Sequence, residues 1–182
     1  MTRIDIAHGA HHRLQVAAHT VSKNYRKGRP IWVFCTDDKR LQAFSKLLWS
    51  IQDIEFIPHQ DIREGFNQCL VYVCRDNPAS YLAQWQAWQA SVQEEDATGA
   101  KEVTKDDTKE ESQGQAKGES PPPPPLPILL NLDLACPPDV TAFQRVLEIV
   151  STHPGDQQYA RERIKQYRQQ GLQTVFHALG ES

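Results

Sequence analysis

Short, continuous runs of apolar residues constrain the fold of this chain more than any other feature of its sequence. Residues 31–35 read Ile-Trp-Val-Phe-Cys, and comparable runs lie at 70–74, 127–132 and 146–150. Strands with this composition are buried on both faces, which is typical of a parallel sheet covered by helices. Residues 4–6 and 54–57 are shorter strand candidates. Residues 172–179 form either a last strand or a short tail element.

Segments with helical periodicity alternate with these runs. Apolar side chains at helical spacing predict helices at 11–26 and 38–49, and a strongly polar helix is predicted at 156–170. Alternation of strand and helix, with strands of the buried type, predicts an α/β fold built on an open sheet.

A polar insert interrupts the pattern. Between residues 91 and 120, nine acidic side chains stand against four lysines, and five consecutive prolines follow at 121–125. This stretch carries −5, which leaves +2 for the rest of a 182-residue chain whose net charge is −3. A segment with so few apolar groups is expected to be disordered. The predicted organisation is a domain formed by 1–83 and 127–182, with 84–126 as the insert.

An aromatic pattern lies at the start of that insert. Tyr81, Trp85, Trp88 and Val92 follow the spacing of one helix face, which predicts a short amphipathic helix. Two interpretations stay open: the helix packs on the domain, or it anchors a partner protein.

The sequence lacks the common signatures of catalysis and cofactor binding. It contains no glycine-rich phosphate loop and no nucleophile elbow. The cysteines have no zinc spacing, so no metal and no cofactor are expected. With no signal peptide, no membrane-spanning stretch and four cysteines interpreted as reduced thiols, a cytoplasmic location is expected.

The predicted last helix carries the most informative charge pattern. Arg161, Arg163, Lys165 and Arg168 lie within eight residues, and only Glu162 opposes them. Three of these cations, Arg161, Lys165 and Arg168, share one helix face. That face is either simply solvated or an anion site. Guanidinium groups suit both an acidic peptide and a phosphate backbone, and composition does not choose between them.

Four ordered pieces of the sequence resemble the family of DNA polymerase III chi subunits. They are a basic turn, strand and acidic turn at 27–38; Leu48-Trp49 followed by Phe56-Ile57-Pro58-His59; the apolar run at 128–132; and residues 160–168 with Gly171. Together they span about 140 residues in order, and the roughly 140 residues outside 84–126 are an ordinary domain size.

The resemblance implies a fold, a role and two partners. The implied fold is a Rossmann-like, three-layer α/β/α single domain with an open, mostly parallel sheet. The implied role is that of a non-catalytic subunit within the clamp-loader complex, in a heterodimer with the psi subunit. The second implied partner is the acidic C-terminal tail of single-stranded-DNA-binding protein, so contact with DNA is expected to be mainly indirect.

The resemblance also assigns residues to each partner. For the tail it points to Val150, Arg161, Ile164, Lys165 and Arg168. Two positions depart from the family pattern: Ile164 stands where a tyrosine is usual, and Gln157 where a lysine is usual. The psi side is assigned to Trp49, Phe56, Pro58 and His59, although these aromatic residues could equally be core.

Two other functions stay open on the sequence. The main alternative is a nucleotide-dependent enzyme on a Rossmann-like sheet. The missing phosphate loop argues against it. Direct binding of nucleic acid through the basic helix is the other, against which stands the low net charge of the predicted domain.

Overall fold

The computed structural model describes residues 1–50, 56–99 and 125–180, with side chains described as far as residue 94 in the middle range. By its internal contacts the chain divides into two units. One comprises Met1–Tyr81 and Leu126–Ser182, and the other comprises Leu82–Pro125. The first unit contains a seven-stranded sheet, and the described element of the second is a helix at Leu82–Gly99.

The sheet is parallel throughout, as the apolar runs predicted. In spatial order its strands are β3-β4-β2-β5-β6-β1-β7, and every neighbouring pair is parallel. Strands β2, β4 and β5 are buried along their full length. The strands are β1 (Arg3–Ala10), β2 (Ile31–Phe34), β3 (His59–Asp61), β4 (Val71–Cys74), β5 (Ile128–Asn131), β6 (Arg145–Ser151) and β7 (Gln173–Ala178).

Helices cover both faces of this sheet, which confirms the predicted α/β fold. Leu147 and Ile149 of β6 join the apolar core beneath the first two helices, whereas Glu148 bonds to the last helix. Because successive strand residues point to opposite faces, these helices lie on opposite sides of the sheet. The helices of the first unit are α1 (Arg13–Tyr25), α2 (Asp38–Ser50) and α4 (Pro154–Gln169), and the second unit contains α3 (Leu82–Gly99).

A buried ion pair fixes α4 to the sheet. Arg163 and Glu148 are both 2% exposed in their side chains, and Arg163 Nη2 lies 3.0 Å from Glu148 Oε2. The other Glu148 oxygen, Oε1, accepts hydrogen bonds from the Tyr167 hydroxyl at 2.6 Å and from Asn131 Nδ2 at 2.8 Å. Arg163 Nη1 donates to the Leu134 carbonyl at 3.0 Å. Arg163 is therefore buried, although it belongs to the same run of cations as the exposed Arg161, Lys165 and Arg168.

The charges of Arg163 and Glu148 and the Tyr167 hydroxyl stabilise one another's protonation states. Burial alone would lower the pKa of Arg163, but the Glu148 carboxylate raises it above its ordinary value. Burial, followed by the Glu148 charge, raises the pKa of Tyr167, so its hydroxyl stays protonated and donates. A buried charge tolerates its loss of water only with such partners, so each group depends on the others.

Two expectations from the sequence need correction. The first is the strand predicted at 54–57. Its first two positions lie outside the described residues, Phe56 and Ile57 are not in a strand, and β3 begins only at His59. Pro58 has no N–H to donate to a ladder, so pairing starts after it. The helix α3 covers the first part of the predicted disordered insert, in agreement with the aromatic spacing; residues 100–124 lie outside the described residues.

The buried pair predicts a large difference between neighbouring arginines of α4. Arg163→Met leaves the Glu148 carboxylate without its cation and should lower the free energy of unfolding by about 3 kcal/mol or more. Arg161→Met removes an exposed cation of the same helix and should change it by less than about 0.5 kcal/mol. Urea denaturation followed by circular dichroism measures both. Equal effects of the two variants would contradict the role given to Arg163.

Candidate partner-binding site

Helix α4 is held at both ends by local structure. The side chain of His153 accepts a hydrogen bond from the Gly155 amide at 3.2 Å, and Pro154 occupies the first turn. At the other end Gly171 has a φ of 71°, a left-handed conformation that glycine adopts without strain. The sequence therefore defines where this basic helix starts and stops.

The residues of α4 divide into a buried row and an exposed row. Ala160, Arg163 and Tyr167 are buried against the sheet. The residue after Ala160, Arg161, is exposed, and so are Lys165 and Arg168 one and two turns further along. The anchored Arg163 and Tyr167 thereby hold these three cations on the surface.

Two adjoining pockets flank the exposed row. The larger, of about 580 Å³, is lined by Arg161, Ile164, Lys165, Arg168, Gln169 and Phe176. The smaller, of about 400 Å³, shares Arg161, Ile164 and Phe176 with it. Val150 lies in the wall of the smaller pocket, and so all five residues assigned to the tail from the sequence line one continuous surface. We call this surface, formed by the two pockets, the α4 cleft.

Phe176 of β7 provides an aromatic wall that the sequence did not reveal. Its side chain is 46% exposed. The Arg168 guanidinium carbon lies 5.7 Å from the centre of its ring, within the range of a cation–π contact. The His8 ring also contacts Phe176, edge to face, with centroids 6.4 Å apart. Apolar surface is therefore available beside the cations.

Two cations of the α4 cleft, Arg161 and Lys165, have no anionic partner among the residues that the structure describes. Within the described residues, no carboxylate pairs with Arg161 or Lys165, and no hydrogen bond engages either side chain. Burial of Val150 (8% exposed) and Ile6 (0%) gives the adjoining floor an apolar character. Unpaired cations next to an apolar floor suit an anionic ligand that also carries an apolar group.

The two departures from the family pattern both lie in the α4 cleft. Gln157 is half-buried in the smaller pocket, one turn before Arg161, and its amide nitrogen lies 3.4 Å from the Thr152 carbonyl. Ile164 is half-buried where both pockets meet. Phe176 lies in the same two pockets and supplies the aromatic surface that Ile164 does not.

A second exposed surface gathers the residues assigned to psi. The Trp49 side chain is 62% exposed and that of Phe56 is 47% exposed, and their ring centroids lie 4.0 Å apart. His59 lies 6.5 Å from Trp49 and 6.4 Å from Phe56, and Pro58 lines the adjoining pocket with Phe56 and His59. We call these four residues the aromatic patch. Trp49 and Phe56 are surface residues, so the interpretation of them as core is wrong.

Local hydrogen bonds fix the imidazole in the aromatic patch. His59 Nδ1 donates to the Ile57 carbonyl at 3.0 Å, because a carbonyl oxygen only accepts. In the neutral ring, His59 Nε2 then accepts from the Ser45 hydroxyl at 2.8 Å. The sequence did not point to Ser45, since nothing in a helical pattern reveals a contact with a strand fourteen residues away.

The carboxyl edge of the sheet, where Rossmann-like proteins bind phosphates, is occupied by an arginine of the chain itself. Arg13 Nε donates to the Ile149 carbonyl at 2.8 Å, and Nη2 donates to the carbonyls of Asn131 at 3.3 Å and Asp133 at 3.1 Å. Its Nη1 lies 3.4 Å from Asp156 Oδ1, with both side chains about one-tenth exposed. The crevice outside β5 and β6 is thereby filled by protein groups.

The described ranges contain neither a candidate membrane span nor a candidate metal cluster. None of the helices there combines the length and the apolar character needed to cross a bilayer. No group of three or more His, Cys, Asp or Glu side chains in residues 1–50, 56–99 and 125–180 is placed to hold a metal ion.

Comparison with known proteins agrees with the resemblance read from the sequence. The family described as "DNA polymerase III chi subunit, HolC" matches residues 1–116 and 106–175. A protein of Pseudomonas aeruginosa named DNA polymerase III subunit chi is 28% identical over 167 residues, which cover 92% of this chain and 87% of that protein. The chain belongs to the DNA polymerase III chi subunit family. Its class is that of an accessory subunit in DNA replication.

Proposed function

We propose that this chain is a non-catalytic adaptor of the DNA polymerase III holoenzyme that bridges the psi subunit and the acidic C-terminal tail of single-stranded-DNA-binding protein. Family membership supports a role within the polymerase complex. The observation that carries the bridging proposal is the presence of two exposed surfaces of different chemistry, the α4 cleft and the aromatic patch. A bridge needs two such surfaces. We expect it to act in the cytoplasm, where replication takes place in bacteria.

The chemistry of the α4 cleft supports the assignment of the acidic tail. A peptide that ends in an aromatic side chain and a free carboxylate presents one apolar group and one anion at close distance. Arg161 and Lys165 offer unpaired cations, and Val150 with Ile164 and Phe176 offers the apolar surface. Binding of this kind weakens with salt, because the cations are exposed.

Removal of the central cation of the α4 cleft should weaken binding of the tail. Arg161→Ala removes the guanidinium shared by both pockets, and we expect the dissociation constant for an acidic tail peptide to rise at least about tenfold, or about 1.4 kcal/mol. Isothermal titration calorimetry measures it. Lys39→Ala, an exposed cation at the start of α2, is the control and should bind as wild type does. Unchanged affinity of a folded Arg161→Ala protein would remove Arg161 from the site.

Restoring the family lysine should strengthen the same interaction. Gln157→Lys adds a cation to the smaller pocket, one turn before Arg161. It should make the binding free energy of the tail peptide more favourable by about 0.5 kcal/mol or more at low salt. Gln157→Met, with a neutral side chain of similar length, is the matched control. The same calorimetric titration, repeated at high salt, should show the gain disappearing. A gain that high salt leaves intact would contradict an electrostatic origin.

The aromatic patch supports the assignment of the psi subunit. Aromatic side chains that are exposed and already packed against each other are enriched at the centres of protein interfaces, because they bury large areas with little loss of side-chain freedom. Trp49 and Phe56 meet this description, and the hydrogen bonds of His59 hold the third ring in place.

Truncation of the exposed tryptophan should abolish most psi binding without loss of the fold. Trp49→Ala should weaken the complex by about 2 kcal/mol, since Trp49 carries the largest exposed aromatic area of the patch. Tyr159→Ala, which removes an exposed aromatic side chain of α4, is the matched control. Calorimetry with purified psi subunit reports the affinity. Full affinity in a folded Trp49→Ala protein would overturn the psi assignment while leaving the tail assignment standing.

The nucleotide-dependent enzyme is the less supported function. Its phosphate site would lie outside the carboxyl ends of the strands, at the point that Arg13 and its bonds to Ile149 and Asp133 fill. A nucleotide would have to displace these bonds, so the geometry gives no specific observation in its favour.

A further inference from the structure

A group of cations at the amino edge of the sheet takes no part in either proposed interface. Lys23 lies near the end of α1, and Lys27 and Arg29 lie in the turn that leads to β2; all three are exposed. Arg145 starts β6 at the same edge, because parallel strands share their direction. The net charge of +2 outside the insert conceals this local concentration of positive charge.

These cations surround a cleft on the α1 side of the sheet. The cleft measures about 310 Å³ and is lined by Asp5, Lys23, Lys27, Arg29, Arg145 and His177, among others. We call it the amino-edge cleft. The neighbouring β7 residues Phe176 and His177 point to opposite faces, so this cleft and the α4 cleft lie on opposite sides of the same strand.

A buried carboxylate organises the floor of the amino-edge cleft. Asp5 is 4% exposed; its Oδ2 accepts from Arg145 Nε at 2.6 Å, and its Oδ1 accepts from His177 Nε2 at 2.9 Å and from Arg3 Nε at 2.8 Å. Burial alone would raise the pKa of Asp5, but the hydrogen bonds from His177, Arg145 and Arg3 lower it below its ordinary value. Asp5 is thus an ionised anchor that holds Arg145 and His177 in the cleft.

The cations of the cleft exceed its carboxylates. Lys23, Lys27 and Arg29 pair with no acidic side chain in the described parts of the chain, and Arg145 uses only its Nε there. Glu148 also borders the cleft, but its carboxylate is bound to Arg163 on the other face of the sheet. The hydrogen-bond donors available to a ligand are therefore the ammonium groups of the lysines and the guanidinium groups of the arginines. Both kinds of group bind phosphate oxygens.

The lining also limits the kind of anion that fits. Among the described residues, His177 is the one aromatic side chain that lines the cleft, so the lining offers little for base stacking or for the aromatic end of an acidic peptide. A volume of about 310 Å³ lies at the small end of ligand pockets. A phosphate group with the atoms attached to it matches both the charge and the size.

We propose that the amino-edge cleft binds phosphate groups through Lys23, Lys27, Arg29 and Arg145, independently of the α4 cleft. Two sources carry this chemistry: the backbone of a single DNA strand, and a free phosphate compound. Contacts made by so few cations are weak and salt-sensitive, so they would add to a complex held elsewhere. The proposal does not depend on which peptide binds the α4 cleft.

The test uses the full chain and two probes at about 50 mM salt. A fluorescein-labelled oligothymidylate is followed by anisotropy, and sodium tripolyphosphate by calorimetry. The variant Lys27→Glu/Arg29→Glu reverses two exposed cations and should retain the fold. Lys39→Glu/Lys46→Glu makes the same change of charge on α2, outside the cleft, and is the matched control. Arg161→Glu reports any contribution from the α4 cleft.

We expect the double variant in the cleft to weaken a bound probe about tenfold or more, and the α2 control and Arg161→Glu to weaken it less than about threefold. For the oligothymidylate, loss of two phosphate contacts should also lower the salt slope by about 1.4. If both probes bind wild type and both bind the cleft variant more weakly, the cleft accepts the backbone of a DNA strand. If only tripolyphosphate binds wild type, and the cleft variant weakens it, the source is a free phosphate compound. The proposal is overturned if neither probe binds wild type, or if the α2 control or Arg161→Glu weakens binding as much as the cleft variant.

Discussion

The arrangement of residues on the α4 face of the sheet depends on the buried ion pair between Arg163 of α4 and Glu148 of β6. The pair and the Tyr167 hydroxyl bonded to it set the rotation of α4 about its own axis. With Arg163 turned inward, Arg161 and Lys165 must face outward, because side chains two apart on a helix cannot share a face. A buried pair adds little net stability compared with apolar packing, but breaking it is costly, so this rotation has no low-energy alternative.

Strands β1 and β7, at one edge of the sheet, have a cleft on each of their two faces. Phe176 and His177, adjacent in sequence, face opposite sides of β7 and enter the α4 cleft and the amino-edge cleft respectively. The aromatic patch lies with β3, at the opposite edge of the sheet. This separation suits the proposed role of an adaptor, since a partner on one edge does not cover the other.

The sequence predicted those features that depend on local pattern. Continuous apolar runs predicted the parallel sheet, and spacing in α4 predicted which cations share a face, since both follow from periodicity alone. The burial of Arg163 could not be predicted from the pattern of α4, because its partner Glu148 comes from β6, a different element of the fold. Phe176 was missed for a similar reason: β7 pairs with β1 from the opposite end of the chain. The sequence predicts a strand at 54–57 because these residues are mostly apolar, whereas β3 starts after Pro58, which has no N–H to donate to a neighbouring strand.

Binding of an acidic tail between α4 and β7 can be observed by nuclear magnetic resonance of the full chain. The ¹⁵N-labelled protein is titrated with an acidic peptide that ends in an aromatic residue and a free carboxylate. Binding of the peptide between α4 and β7 predicts the largest amide shift changes at Arg161, Ile164 and Phe176, with the signals of Trp49 and Lys27 unmoved. Changes that cluster at the aromatic patch or the amino-edge cleft, with α4 unaffected, would contradict it.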